Sequence, residues 1–196
     1  MEDWPVGDLV RLRLPRVEDQ PAIDEWSLPR ARSRWNAGVK RPRTVAERLE
    51  SGPLVSADGG ILLIVRRADE RPVGDIVWKP VYYGQKSDTR SRAWRIGREM
   101  VPAARGQGYG TEAMRLLVGW LFANTDANRV DGYTDCGNTA SRRSVEKVGW
   151  RFEGVLRGAV YRDGEHRDMA MYGLTRADWA ALHGTGHPTV EVEGTA

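Results

Sequence analysis

The chain has 196 residues, 40% of them hydrophobic and 29% charged, which is the composition of an ordinary globular domain. No apolar run approaches the roughly 18 residues that a membrane-spanning helix needs, and the acidic opening of the chain does not resemble a signal peptide. The single Cys136 excludes an internal disulfide framework and is typical of a reducing compartment. We therefore expect a cytoplasmic protein without membrane contacts, in which Cys136 packs as a small hydrophobic residue, with a reactive thiol as the alternative.

The net charge is +3, and the arginines form one dense basic run at residues 30–43. This run could bind RNA, an acidic partner or the phosphates of a cofactor, or it could be a solvated segment beside a substrate entrance. No nucleic-acid-binding motif accompanies it. The three histidines and one cysteine have no metal-ligand spacing, so we expect no metal site.

The first half of the chain alternates predicted strands and short helices. Alternating polar and apolar residues, or a short apolar run, predict three strands, at 7–14, 61–65 and 73–81. Helical spacing predicts two helices, at 17–26 and 44–49. Thr44 followed by Glu47 is a capping box, which marks the start of the second helix. A polar loop is expected at 82–92.

A predicted strand, a glycine-rich turn and a predicted helix follow one another in the middle of the chain. The strand covers residues 94–101, the turn 105–110, and the helix begins near Thr111. The helix is predicted from four apolar residues that share one face: Ala113, Leu117, Trp120 and Leu121. Such a unit can hold a phosphate, because glycines let successive N–H groups converge at a helix N-terminus that favours negative charge.

The turn does not match two common phosphate-binding motifs. A Walker loop needs Lys followed by Ser or Thr after its last glycine, whereas Gly110 is followed by Thr111 and Glu112. A dinucleotide-binding turn needs Gly-x-Gly-x-x-Gly, and the spacing here is Gly-x-Gly-x-Gly. The turn instead matches Arg/Gln-x-x-Gly-x-Gly/Ala in one run of six residues: Arg105, Gly106, Gln107, Gly108, Tyr109 and Gly110.

The second half of the chain continues with strands around one more helix. Three strands are predicted, at 129–134, 152–161 and 165–175, and the last two are joined by the hairpin signal Asp163-Gly164. A helix is predicted over 138–148, ended by Gly149. Residues 178–182 could add one last turn.

The order of the predicted elements is β-α-α-β-β-β-α-β-α-β-β. It predicts an α+β fold in which helices flank a mixed, mostly antiparallel central sheet. We expect a single domain over residues 1–182, without repeats, and a disordered C-terminal tail at 183–196.

The glycine-rich turn resembles the acyl-CoA pyrophosphate loop of the GNAT superfamily of N-acetyltransferases. The stretch at 138–157, with Asn138, Ser141, Ser144 and Gly149, resembles the segment after the fifth strand in that family. It is most similar to the branch with the Rim-type ribosomal-protein N-terminal acetyltransferases. The resemblance covers residues 7–179. It implies the acyl-CoA N-acyltransferase fold and an enzyme in which an amine attacks the thioester of acyl-CoA directly.

The resemblance also implies how acyl-CoA is bound. Backbone groups of Met100 and Val101 pair with the pantetheine arm, and one of the two N–H groups faces the thioester oxygen. The pyrophosphate is held by the Arg105 side chain and by backbone N–H groups, in particular those from Gln107 to Thr111. The residues implied in this contact are Gly106, Gln107, Gly108, Tyr109, Gly110 and Thr111. Asn138 binds pantetheine or an ordered water, and Arg143 or Lys147 reaches the CoA phosphates.

The chain departs from the family at one position. Many members carry a tyrosine general acid in the helix after Asn138, where this chain has Val145. Ser141, one helical turn after Asn138, is the available hydroxyl, and we expect it to donate a hydrogen bond to the leaving thiolate. A capping or helix-surface role for Ser141 is the alternative.

Several groups are candidates for the general base. Glu99 lies on the strand two residues before Val101, where a carboxylate could relay the amine proton through water. Asp135 and Asp168 are rivals, and each of the three could instead belong to an ion pair. Water alone could also suffice, because an α-amino group is already partly deprotonated at neutral pH.

These observations together predict an acyl-CoA-dependent N-acyltransferase, with acetyl-CoA or another acyl-CoA as co-substrate. The acceptor is either a protein N-terminus or a small-molecule amine. The arginines at 30–43, Arg95 and Arg98 favour a neutral or anionic acceptor, or an acyl group with a carboxylate such as succinyl. A non-catalytic acyl-CoA-binding sensor or scaffold is the alternative, since the family tyrosine is missing, and an RNA-binding domain is a third. Homodimer formation is compatible with the fold.

Overall fold

The computed structural model of the protein describes residues 4–27, 35, 43–86 and 88–184. Within these ranges the strands are β1 (Val10–Arg13), β2 (Val55–Ser56), β3 (Gly59–Arg66), β4 (Pro72–Tyr82), β5 (Arg92–Met100), β6 (Arg129–Asp135), β7 (Arg151–Arg162) and β8 (Glu165–Thr175). They form one sheet in the order β1-β3-β4-β5-β6-β8-β7, with β2 paired to β3. Only β5 and β6 pair in parallel, so the predicted α+β fold with a mostly antiparallel sheet is confirmed.

The described residues form five α-helices: α1 (Gln20–Ser27), α2 (Val45–Glu50), α3 (Tyr109–Asn124), α4 (Thr139–Glu146) and α5 (Arg176–His183). None of them is long and apolar enough to cross a membrane. The predicted capping box of α2 is confirmed, because Thr44 Oγ1 accepts from Glu47 N–H and the Glu47 carboxylate accepts from Thr44 N–H. Thr175 and Asp178 form a second capping box at α5.

The structure differs from the prediction at several element ends. The connection predicted at 82–92 is shorter, because β4 continues to Tyr82 and β5 begins at Arg92. Helix α3 begins at Tyr109, two residues before the predicted start, because Gly108 is its N-cap. The two-residue strand β2 carries too short a pattern to be predicted.

The C-terminal helix is longer than the single turn that the sequence suggests. The capping box at Thr175 starts the helix earlier than predicted, and it ends at His183, where the disordered tail is expected to begin. Residues 185–196 of that tail lie outside the described residues.

Helix α3 packs against one face of the sheet. Ala113, Leu117 and Leu121 are fully buried there, as their spacing predicts. Trp120 lies at the edge of this face and is only half-buried, with its ring against the rings of Trp4 and Trp78. This packing fixes the N-terminus of α3 close to the end of β5.

The sheet opens between β5 and β6. Strand β5 pairs with β4 along its whole length but with β6 only at Trp94↔Val130 and Arg95↔Asp131. Beyond Arg95 the two parallel strands diverge, and the later part of β5 has an unpaired backbone edge. The glycine-rich turn follows β5 and α4 follows β6, so both lie at this opening.

Candidate active site

The glycine-rich turn leaves a row of backbone N–H groups free. Gly106 and Gly108 have φ angles of 75° and 88°, a conformation that side chains with a Cβ rarely adopt. No N–H group from Gly106 to Gly110 donates a hydrogen bond to a described residue, whereas Thr111 N–H donates to the Gly108 carbonyl at 3.0 Å. The sequence predicts binding N–H groups from Gln107 to Thr111, whereas the free ones extend from Gly106 to Gly110. These free N–H groups lie at the positive end of α3.

A half-buried cation lies beneath this turn. The Arg98 guanidinium donates to the Gly110 carbonyl at 2.8 Å, and a Cβ at Gly110 would come within 3.0 Å of Arg98 Nε. Burial lowers the pKa of Arg98 to about 10, and no carboxylate of the described residues offsets that effect. Buried charges are normally paired. Arg98 therefore adds an unbalanced positive charge next to the free N–H groups, which favours an anion at the turn.

The first turn of α4 forms the opposite wall. Asn138 caps this helix, since its Oδ1 accepts from Ser141 N–H at 3.1 Å, and its Nδ2 group is left to donate elsewhere. The Ser144 and Thr111 hydroxyl oxygens are 2.7 Å apart. This hydrogen bond connects α4 directly to the start of α3.

The pairing of β5 distinguishes the N–H groups of Met100 and Val101, which the sequence alone does not distinguish. Val101 N–H donates to the Val73 carbonyl at 2.9 Å, so it faces β4. Successive amides of a strand point to opposite sides, so Met100 N–H faces the opening. The Met100 carbonyl accepts from Arg105 Nε at 3.1 Å. Met100, and not Val101, therefore offers a free N–H to a group in the opening.

These elements enclose a cleft of about 950 Å³. Most of the predicted site residues line it, namely Glu99, Met100, Arg105, Gly106, Gly108, Gly110, Thr111, Asn138, Ser141, Arg143 and Lys147. Val101, Gln107 and Tyr109 do not. Gln107 Nε2 instead donates to the Ala103 carbonyl at 2.7 Å, and Tyr109 packs against the hydrophobic core. Gln107 and Tyr109 can serve a ligand only through their backbone.

Two carboxylates lie side by side on the face of the sheet opposite α3. Asp75 of β4 and Glu99 of β5 are partners in the strand register. Glu99 lines the cleft, and its Oε1 is buried without a hydrogen-bond partner among the described residues. Burial, with the charge of Glu99 as the second cause, raises the pKa of Asp75 to about 7. The pair thus places an unsatisfied carboxylate oxygen where a proton could be accepted from a group in the cleft.

The rival carboxylates already have partners. Asp135 accepts from Gly137 N–H at 2.8 Å through Oδ1 and from Arg162 Nη1 at 2.7 Å through Oδ2. Asp168 accepts from Gly158 N–H at 2.7 Å and does not line the cleft. Of the three candidates, Glu99 has a free oxygen at the cleft.

Two hydroxyl groups line the cleft near α4. Ser141 Oγ has no hydrogen-bond partner among the described residues. The hydroxyl of Tyr172 on β8 donates to Glu146 Oε1 at 2.7 Å and accepts from Arg142 Nε at 3.0 Å, and burial is the main cause that raises its pKa. Since both contacts engage the Tyr172 hydroxyl, Ser141 is the freer donor.

Several cleft residues have no role in the sequence-based interpretation: Trp35, Ser144, Arg162 and Tyr172. They come from four separate elements or connections. Sequence spacing cannot bring them together, because long-range strand pairing and helix packing decide their neighbours. Trp35 is the one residue of the basic run at 30–43, apart from Arg43, that lies within the described residues, and the remainder of that predicted run falls outside them.

Cys136 and metal binding were the remaining sequence-based expectations. Cys136 is half-buried and packs against the core, and burial is the main cause that raises the pKa of its thiol. In the described part of the chain, no group of three or more His, Cys, Asp or Glu side chains could hold a metal ion.

A family model described as the acetyltransferase (GNAT) domain matches residues 10–151. The chain belongs to this family. The match begins with β1 and ends at the first residue of β7, so it contains β5, the glycine-rich turn and α4. The family resemblance of these elements is therefore confirmed.

Known relatives agree with this GNAT assignment. YdaF of Bacillus subtilis, provisionally named a ribosomal N-acetyltransferase, is 33% identical over 92 residues, which cover 47% of this chain and 50% of YdaF. The chain thus spans about half the length of the first curated relatives it matches. Among solved structures, RimL with coenzyme A has a TM-score of 0.73 at 18% identity, covering 89% of this chain and 98% of RimL. Mycobacterium smegmatis RimJ with CoA-disulfide has a TM-score of 0.69 at 21% identity, covering 93% of this chain and 96% of RimJ. At these identities the two structures show the fold alone.

The GNAT family uses acyl-CoA, and the residues present fit that molecule. A diphosphate needs N–H donors and positive charge, which the turn from Gly106 to Gly110 and the half-buried Arg98 offer together. The amides of a pantetheine arm need backbone partners, which the unpaired edge of β5 beyond Arg95 offers.

Proposed function

We propose that the protein is an acetyl-CoA-dependent N-acetyltransferase that moves the acyl group from the CoA thioester directly to a primary amine. One observation carries the proposal. Five free N–H groups, from Gly106 to Gly110, lie above Arg98, which is half-buried and has no described carboxylate beside it, at the cleft that also contains Glu99. A bound diphosphate would satisfy these N–H groups and balance the charge of Arg98, next to a proton acceptor.

The residues of the cleft divide the binding of acetyl-CoA between them. The free N–H groups, Arg98 and the exposed Arg105 hold the diphosphate. Arg143 and Lys147 line the cleft on the side of α4 and approach the remaining phosphate. Asn138 donates from Nδ2 to the pantetheine arm or to an ordered water.

The chemistry requires three proton or charge roles. Glu99 accepts the proton of the amine, directly or through water. Met100 N–H donates to the thioester oxygen as negative charge develops there. Ser141 Oγ donates to the departing thiolate. Positioning of the amine against the thioester supplies the remaining acceleration, because attack becomes effectively unimolecular.

The acceptor is a protein N-terminus or a small-molecule amine. The names of relatives support the first, since RimL is titled an acetyltransferase of the α-amino group of ribosomal L7/L12 and YdaF is named for ribosomal N-acetylation. Fold similarity by itself says little about substrates.

The test is release of free thiol from acetyl-CoA or succinyl-CoA in the presence of N-terminal peptides, amino acids, polyamines and aminoglycosides, with product masses measured. We expect turnover with acetyl-CoA and at least one amine. The Glu99→Gln variant should lose about 100-fold in kcat near neutral pH while its affinity for CoA is unchanged, and Ser141→Ala should lower kcat without weakening CoA binding. Tight CoA binding without thiol release across the panel would contradict the proposal and favour a non-catalytic acyl-CoA sensor.

A further inference from the structure

One buried side chain at the cleft has hydrogen-bond donors that the fold does not use. Arg162, the last residue of β7, forms a buried ion pair with Asp135 through Nη1 at 2.7 Å, and its side chain is 8% exposed. Its Nε and Nη2 are buried without a hydrogen-bond partner among the described residues. These two nitrogens form one edge of the guanidinium, which is a fork that binds oxygen atoms side-on. Unsatisfied buried donors are costly, so such an edge indicates a missing partner.

The register of the sheet shows where this edge lies relative to the catalytic cleft. Arg95 and Asp131 are opposite each other in the parallel pair of β5 and β6, and their side chains form an ion pair on one face. Glu99 and Asp135 each lie four residues further along, so their side chains point to that same face. The strands have diverged by then. Asp135 therefore holds Arg162 on one side of the opening while Glu99 lies on the other.

The charges on this face indicate what the free edge would accept. Asp135 already balances the positive charge of Arg162, and both Asp135 oxygens have donors. The other described cations of the cleft, Arg98, Arg105, Arg143 and Lys147, are assigned to the phosphates of CoA. A carboxylate ligand beside Asp135 and Glu99 would therefore find no further cation among the described residues to balance it. A neutral carbonyl oxygen needs only N–H donors. An amide carbonyl is therefore the best-matched ligand for Nε and Nη2.

We infer that the free edge of Arg162 binds the carbonyl oxygen next to the amine of the acceptor, and that the acceptor is an α-amino amide such as a peptide N-terminus. This rests on the proposed function, because it assigns the amine to Glu99. In an α-amino amide the amine and the amide group are attached to the same carbon. The carbonyl oxygen therefore reaches across the opening to Arg162 when the amine is at Glu99.

Three acceptors that share the same amine-bearing carbon and methyl group test the inference. L-alaninamide carries a neutral carbonyl, L-alanine carries a carboxylate, and isopropylamine carries neither. We expect kcat/KM, calculated for the neutral amine, to be about 10- to 100-fold higher for L-alaninamide than for isopropylamine, as a hydrogen bond to a charged donor implies. Equal values for these two amines would overturn the inference. A clear preference for L-alanine would overturn the choice of a neutral amide.

Variants show whether Arg162 causes the preference. Arg162→Lys keeps a cation beside Asp135 but lacks the side-on fork, so it should lose about 10-fold or more with L-alaninamide and little with isopropylamine. Each amine is its own control, since the variant and the wild type are compared on the same acceptor. Arg157→Lys, an exposed arginine on the same strand and outside the cleft, should change neither value. An equal loss on both amines would show that Arg162 only maintains the structure.

Binding separates this inference from the proposed function. Ligand-observed NMR with the CoA-loaded wild-type protein measures acceptor affinity without any reaction. If no amine is acetylated but L-alaninamide binds more tightly than isopropylamine, the proposed function fails and the Arg162 subsite stands. If acetylation occurs without any difference between the two amines, the proposed function stands and the subsite fails.

Discussion

The hydroxyl oxygens of Thr111 and Ser144 lie 2.7 Å apart and join α3 to α4 across 33 positions of the chain. Helix α3 presents the free N–H groups of the glycine-rich turn, and α4 presents Asn138 and Ser141. The hydroxyl pair therefore sets the separation of the two walls between which acetyl-CoA is proposed to bind.

Removal of either hydroxyl should loosen both walls. We expect Thr111→Val and Ser144→Ala each to lower the free energy of unfolding by about 1 kcal/mol and to weaken CoA binding several-fold. The double variant should cost less than the sum of the two, because the same hydrogen bond is lost in each. Urea unfolding and calorimetric CoA titration of all four proteins measure this. Additive losses would show that the two hydroxyls act independently.

Gly106 should be needed for binding as well as for folding. Its φ is 75°, and a Cβ there would meet no protein atom within 4 Å. Gly106→Ala should therefore cost only about 1 kcal/mol of stability through backbone strain but at least 10-fold in CoA affinity, since the methyl group blocks approach to the N–H row. Gly164→Ala is a matched control, with a φ of 85° and equally open surroundings. It should lose the same stability and no CoA affinity, and a similar affinity loss in both variants would contradict this role.

Arg98 should contribute to CoA affinity through the phosphates. We expect Arg98→Met to weaken CoA binding by about 10-fold, as loss of one charge-assisted contact implies, and to leave pantetheine binding unchanged. Its stability should change little, because removal of a desolvated charge offsets loss of the hydrogen bond to the Gly110 carbonyl. Arg115→Met, an exposed arginine of α3, is the control. An equal effect on CoA and pantetheine would mean that Arg98 shapes the cleft and does not attract phosphate.

Asp75 should make stability depend on pH. Its pKa is raised from 3.8 to about 7 in the folded protein, so between these values the folded chain keeps a proton that the unfolded chain has released. The Asp75 site therefore costs no stability below pH 3.8, and its cost grows as the pH rises from 3.8 through about 7. Asp75→Asn should therefore be more stable than wild type at pH 8, by about 1–4 kcal/mol, with little difference at pH 4. Urea unfolding at both values measures this. The exposed Asp58→Asn should show no such change, and a parallel pH dependence of Asp75→Asn and wild type would refute the assignment.

Local patterns in the sequence were sufficient for most of the elements and for the position of the glycine-rich turn. The capping box of Thr44 and Glu47, the hairpin at Asp163-Gly164 and the glycine-rich turn before α3 occur as predicted, the last two with positive φ angles. Each depends on hydrogen bonds or backbone freedom within a few residues. That chemistry is readable from neighbours in the chain, and so was the family.

The identity of the groups that meet in the cleft required the tertiary structure. Asp75 lies beside Glu99 because of the register between β4 and β5, and Arg162 pairs with Asp135 across 27 positions. The sequence offered Met100 and Val101 as equal donors, and strand alternation in the folded sheet decided for Met100. Contacts between distant strands depend on the register and on the face of the sheet, and a single sequence does not encode either in its local pattern. The base and the acid remain predictions, and the fold shows which oxygens of the candidate groups already have hydrogen-bond partners among the described residues.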